Sequence, residues 1–338
     1  MQKCRKNVTD NRRGILIKSE IDILTYEYDM KKFSKDITDN RRGILMNNEL
    51  KILTLADYYE KFEKDGCEAY LIINNKMKDY RAMFGFVKLI GNKEAAKEVF
   101  SALEKKAKEL GFRHLVGPIN YNTWMSYRFA ISNYELKLYP DCNNPAYYND
   151  IIKALGYKEL YTYRSASIDM NNPMFKLGES IYREKLAEGY SFNTFEEKDA
   201  LKVAKHVYEI SKDAFSDAYL YSDIPYEIFE KLYLSWVKQL KFSIIIAYKG
   251  TEAIGYVFGY ENPVGEGFIS KTSAVIKKYQ KHKIYTALLY LGWKLVLDKG
   301  YKDMIYHFQC EQKDTFKRFE KKIESNEKRY AIYVKELV

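Results

Sequence analysis

Residues 273–301, SAVIKKYQKHKIYTALLYLGWKLVLDKGY, carry the types and spacing needed to hold an anion. A β-branched strand ends at Val275–Ile276, a polar loop follows, and a long apolar helix begins near residue 284. A strand feeding a helix through a short loop offers unpaired backbone N–H groups and the positive end of a helix dipole. A diphosphate would suit that mouth, and Lys277, Lys278, Lys281, His282 and Lys283 add charge to it. Other side chains could move protons. His307 lies on the following strand, where alternation groups it with Ile305 and Gln309, opposite Tyr306 and Phe308. An imidazole titrating near neutrality can deprotonate an amine. Glu261, ending GYVFGYE, is a second candidate base, and Tyr330 and Tyr333 are candidate acids on the last strand. The chain has no Ser/His/Asp arrangement, HExxH, Walker loop or GxGxxG.

The elements that must position these groups read as mixed α/β. In the second half, helices are expected at about 174–188, 198–214 and 226–240. Strands follow at 242–250 and 252–262, turning at Lys249–Gly250–Thr251. A buried strand (268–276), a helix (284–300), a strand (303–311), a helix (315–324) and a last strand (329–337) complete the order. The first half has strands at 68–76 and 80–91 and a helix at 92–111 capped by Asn92 and stopped by Gly111. A strand at 112–122, a helix at 144–156 and a strand at 157–170 follow. No Pro- or Gly-rich linker separates the halves, so their boundary, near 160–175, reads as a shared strand. Before residue 66 the chain repeats itself: TDNRRGILIKSEIDILT (9–25) and TDNRRGILMNNELKILT (38–54) agree at twelve of seventeen positions. Each copy (8–36 and 37–65) reads as two strands and a short helix, with strands expected at 50–54 and a polar helix at 55–65. The duplication reads as a copied sheet-edge unit, its second copy belonging to the first domain. Two copies are too few for a solenoid core.

Bulk properties set the class. The chain has 338 residues, 46% of them apolar, and a net charge of +10 from 56 basic and 46 acidic residues. That charge permits nucleic acid or an acidic cofactor, but stretches such as EKKAKELG mix both signs and read as solvated helix faces. Cys4, Cys67, Cys142 and Cys310 show no ligand spacing, so neither a metal nor a disulfide framework is expected, and a reducing compartment fits. The polar QKCRKNVTDNRR after Met1 shows no secretory signal, and the longest apolar run, 284–297, is short of a membrane span. A cytoplasmic protein is expected.

The segment 273–301 resembles the acyl-CoA-binding strand–loop–helix of the GNAT acetyltransferase superfamily, roughly V-x-P-x-[YF]-[QR]-x-x-G-x-[GA]-x-x-L-L. Val275, Tyr279, Gln280, Leu288 and Leu289 match, while the two glycine positions hold Lys283 and Tyr285. The helix tyrosine that protonates the leaving thiolate in many members falls at Phe319. The first half, through Gly117–Asn120 with Tyr121 and Asn144–Tyr148, resembles the first domain of bacterial tandem-GNAT proteins. Together the two likenesses cover about residues 66–338. They imply two tandem GNAT-like domains with mixed β-sheets flanked by helices. Residues 37–165 would form the first, without a pyrophosphate loop, and 166–338 the second, with one. Acetyl-CoA or another acyl-CoA would be the co-substrate, held by Ala274, Val275, Gln280, Lys281, His282, Lys283, Ile284, Tyr285 and Thr286. The implied activity is N-acyl transfer to a small-molecule or peptide amine by a protein that is a monomer or a homodimer. Glu261, His307 and Tyr330 are the catalytic candidates. Two alternatives remain: a non-catalytic binding or regulatory protein, and an aminoacyl-tRNA-dependent transferase, the one case with a nucleic-acid partner.

Overall fold

In the computed structural model the residues described are 51–142, 144–169, 174–313 and 327–338. The first copy of the duplication, about half of the second, and the expected helix at 315–324 with Phe319 lie outside them.

The part of the second copy that is described departs from expectation. Of the strand expected at 50–54, the described residues form none; Lys51–Leu55 is one 3-10 turn, pinned by the buried Ile52 and Leu53. The helix expected over 55–65 is instead strand β1 (Tyr58–Lys64), paired antiparallel with β2 (Cys67–Ile73) from Tyr58–Ile73 to Lys64–Cys67. The turn explains it. Asp65 and Gly66 both take positive φ, 43° and 79°, the two-residue hairpin whose twist matches its strands and which Asp-Gly favours. Polar YYEKFEK then alternates in exposure along an edge strand.

The first half continues with β3 (Ala82–Lys88), α1 (Lys93–Glu109), β4 (His114–Gly117), the short β5 (Phe129–Ala130), α2 (Tyr147–Ala154) and β6 (Lys158–Asp169). The second half runs α3 (Met174–Ala187), β7 (Tyr190–Glu196), α4 (Ala200–Ala214), α5 (Tyr226–Val237), β8 (Phe242–Lys249), β9 (Glu252–Glu261), β10 (Phe268–Val275), α6 (Ile284–Asp298), β11 (Asp303–Cys310) and β12 (Lys328–Glu336). Strand β7 was not foreseen. Its residues after Gly189 alternate only weakly in burial, as suits the far edge of a sheet.

All twelve strands belong to one mixed sheet, in the order β1-β2-β3-β4-β12-β6-β11-β10-β9-β8-β7, with β5 paired to β12. Strand β6, which ends the first half, lies beside β11, while β12 crosses back to sit between β4 and β6. The boundary expected between 165 and 166 therefore falls inside a strand with partners from the second half on both sides. Two pairs are parallel, β3–β4 and β10–β11, each joined by a helical crossover as parallel strands require. Helices α1 and α2 bury Val99, Phe100, Leu103, Ile151 and Ile152 on one face of the first half. Helix α6 buries Ile284, Leu288 and Trp293 on one face of the second. A single larger cluster joins the halves, with Val203, Val207 and Phe229 of α4 and α5 packed together with Ile72, Met83 and Val116.

Candidate active site

The site starts where two strands part. Strands β10 and β11 pair at Phe268–Met304, Ile269–Ile305 and Ser270–Tyr306, and at no later position. Beyond that point β10 shifts register between Ser270 and Thr272 but stays with β9 to Val275. Strand β11 shifts between Tyr306 and Gln309, with Phe308 at φ 60°, and resumes pairing with β6. Bulges of this kind bend a strand away from its neighbour. Antiparallel β7 to β10 are followed by a helical crossover and a parallel strand that parts from β10.

The turn leading into α6 lies at the end of β10. Residues 277–282 wind into a 3-10 turn, and Lys283 then adopts the left-handed conformation at φ 61°. This is the first of the two positions where the family pattern has glycine, and the reason is visible in the backbone. A side chain there carries a steric cost of about 1–2 kcal/mol. The turn therefore places a left-handed residue directly before α6. Its charges are partly spoken for. Asp213 accepts from the Lys277 N–H at 2.5 Å, and the Lys277 ammonium is bonded to Asp217. Lys278 lies 3.6 Å from Glu252 and Lys283 3.7 Å from Glu184. Gln280 donates to the Val275 carbonyl at 3.2 Å. Lys277 has acids already in place, which leaves the residues from Lys281 onward as those that would hold a diphosphate. Tyr285 fits least: its ring packs among the clusters beneath α6, and burial pushes its phenol up.

Between the halves lies a group of cations. Arg128 is 3% exposed and takes φ 76°. Its guanidinium carbon lies 3.6 Å from the Tyr127 ring centre, 3.8 Å from Phe308 and 4.2 Å from Tyr163. Its Nε and Nη1 are buried without a hydrogen-bond partner. Such cation–π contact is worth about 2 kcal/mol when desolvated. Two unmet donors on a charged group cost at least about 1–3 kcal/mol each. Three ring contacts are of the same order as that cost, and they leave Nε and Nη1 unbonded. Lys271, at the β10 bulge, lies 4.8 Å from the centre of the same Phe308 ring. Burial, helped by Arg128, pulls its ammonium down to about 7. Burial likewise pushes the Cys142 thiol up to about 12, so it supplies no counter-charge. The neighbouring Asp141 is taken by the buried Lys328, at 2.5 Å.

No protein-family model matches the sequence. No curated protein matches it. Among solved structures the chain is similar to a tandem GNAT protein from the clavulanic acid biosynthesis pathway. That likeness has 13% identity over 88% of each chain and a TM-score of 0.48. It is also similar to L-PGS from Bacillus licheniformis, at 10% identity over 84% of this chain and 85% of that one, with a TM-score of 0.43. A GCN5-related N-acetyltransferase from Sphaerobacter thermophilus aligns at 12% identity over 80% and 76%, with a TM-score of 0.42.

The sequence-derived candidates fall in four places. His307 and Tyr330 come together through Ser165, whose Oγ lies 2.7 Å from His307 Nδ1 and 3.2 Å from the Tyr330 hydroxyl. His307 Nε2 is 2.9 Å from the Pro140 carbonyl, which can only accept, so Nε2 holds the proton and Nδ1 accepts from Ser165. Burial, reinforced by Lys271, lowers the imidazole well below its usual range and keeps it neutral. Phe308 does not share a face with Tyr306 as simple alternation had it. Its positive φ turns it toward the cluster of Ile305, while Tyr306 stays beneath α6. Tyr333 points elsewhere, donating to Asn149 Oδ1 at 2.7 Å. Glu261 sits opposite Phe268 near the start of β10, 3.8 Å from Lys241, and joins neither group. Ala274, Val275 and Gln280 to Thr286 lie together along the end of β10, the turn and the first turn of α6. Arg128 and Lys271 went unnoticed in the sequence. The signal for Lys271 was there: a lysine inside the apolar strand FISKTSAVI. Arg128, a lone cation in the aromatic stretch YNTWMSYRFA, gave a weaker one.

Proposed function

We propose that the protein is an N-acyltransferase that uses an acyl-CoA thioester as donor and an amine as acceptor. The observation that carries this reading is the parting of β10 and β11 after Ser270 and Tyr306, with its open end leading to the left-handed turn at Lys283 and the N-terminus of α6. The donor supplies an activated acyl carbon. The residues from Lys281 to Thr286 would hold its diphosphate through the turn and the helix dipole. His307, with both nitrogens bonded to the protein, acts in this reading by anchoring β11 to Ser165 and Pro140. Acyl transfer in a site of this kind depends chiefly on positioning and on backbone donors, so it asks little of any single acid or base.

A second reading, a binding protein that retains the fold without turnover, is favoured by two specific features. Asp213 already accepts from the Lys277 amide, and the Tyr285 ring lies in the packed layer under α6. Titration calorimetry with coenzyme A and acetyl-CoA separates the readings. Micromolar binding that strengthens in Tyr285→Gly and fails in Thr286→Glu supports the transferase. Absence of binding in both the natural chain and Tyr285→Gly sinks it.

A further inference from the structure

We propose that Arg128 and Lys271 form a binding site for a substrate carboxylate at the inner end of the parted strands. The proposal rests on the transferase reading only for the source of that carboxylate; the site itself stands on its own geometry. Arg128 is held between the halves in a backbone conformation that an L-residue adopts at a cost, φ 76°. Three aromatic rings within 4.2 Å enclose its guanidinium, yet Nε and Nη1 have no protein partner. Lys271 reaches the same Phe308 ring from β10. None of the groups that perturb Lys271 is a carboxylate: Arg128 disfavours its charge, and Cys142 is the sole group that favours it. Asp141, next to Cys142 in the chain, is committed to Lys328. A cation pair, one member buried and the other half-buried, therefore stands without a carboxylate partner among the described residues.

The shape of the site selects the anion. Rings this close fill the space above the guanidinium plane, so a partner must approach in that plane. A planar carboxylate can do this, with one oxygen on Arg128 and the other toward Lys271, whereas a tetrahedral phosphate needs room out of plane. Two sources share this chemistry. One is an acceptor that carries a carboxylate beside its amine, as an amino acid does. The other is a donor whose acyl chain ends in a free carboxylate.

The test is thermal unfolding of the full chain at matched ionic strength with chloride, phosphate, succinate, glycine and glutamate, and with acetyl-CoA against succinyl-CoA. A carboxylate is expected to raise the melting temperature more than chloride or phosphate. Lys271→Met and Arg128→Gln should each weaken its apparent affinity at least about tenfold, as loss of one buried charge partner does. Because Arg128→Gln can disturb folding, Lys271→Met is read independently, with its circular dichroism as the folding control. A response to amino acids assigns the site to the acceptor, and a preference for succinyl-CoA over acetyl-CoA assigns it to the donor. Equal responses to chloride and carboxylates, a larger response to phosphate, or an unchanged response in Lys271→Met would overturn the proposal. Carboxylate binding without any coenzyme A binding would sink the transferase reading and leave this site standing; the reverse result sinks this site alone.

Discussion

The chain builds the same strand–turn–helix–strand unit twice, as β3–α1–β4 and as β10–α6–β11, and only the second is left open. In the first, the parallel strands approach until side chains are excluded. A Cβ on Gly85 would meet the Ile119 carbonyl oxygen at 2.3 Å, and one on Gly117 the Phe84 oxygen at 2.2 Å. The gap beyond is sewn shut: the Ile119 N–H donates to the Phe84 carbonyl, and the Asn120 side chain accepts from Phe86 N–H at 2.7 Å. The turn before α1 is equally committed. The Tyr148 hydroxyl accepts from the Leu89 N–H at 2.8 Å, Tyr147 donates to the Leu89 carbonyl, and Asn92 caps the helix. In the second unit no pairing joins β10 to β11 after Ser270 among the described residues, no side chain caps α6, and the turn holds a left-handed lysine. One topology thus serves as scaffold where polar side chains close it, and as a ligand channel where they are missing.

Substitutions can break or sharpen this contrast. The largest effect is expected from Gly117→Ala, whose Cβ would strike backbone rather than a side chain that could move. A loss of more than about 3 kcal/mol in urea unfolding is expected, since overpacking against fixed backbone lies in the severe tail of mutational effects. Asn120→Ala should cost about 1–3 kcal/mol by leaving a buried amide unmet, and hydrogen exchange at Phe86 should speed up. A neutral result at both sites would mean that the first unit is as open as the second.

Lys271→Met should act with the opposite sign and depend on pH. The folded state lowers the Lys271 pKa to about 7, whereas the unfolded chain keeps it near the usual value of about 10.4. The folded chain therefore binds fewer protons between these values, and its stability rises with pH across that window. Below pH 7 the burial penalty is fully present, so Lys271→Met should melt higher than the natural chain at pH 6, by about 2–4 °C, and the gain should shrink by pH 9. The groups around this ammonium are Arg128, His307, Cys142 and the Phe308 ring. A pH-independent difference would show that the ammonium is solvated. The smallest effect is expected from Lys283→Gly. Relief of left-handed strain, partly offset by glycine's greater freedom when unfolded, should leave a gain of about 0.5–1 kcal/mol. Coenzyme A should bind it more tightly, whereas Gly91→Lys, at φ 83° in the first unit, should only destabilise.

The sequence by itself determined most elements, because helices such as Lys93–Glu109 and the apolar α6 announce themselves by period and caps, and it located the turn at 277–286. It misread 55–65 as helix because EKFEK is polar enough for either state, and what makes it a strand is the Asp65–Gly66 turn and a partner strand to pair with. It could not reveal that β12 crosses back between β4 and β6, since strand order depends on pairing between residues far apart in the chain. Nor could it bring Arg128 of the first half onto Phe308 and Lys271 of the second: 143 residues separate the two cations, and only the shared sheet closes that distance. Local periodicity fixes elements, but charges buried without partners arise from packing, and that is where the functional reading of this protein lies.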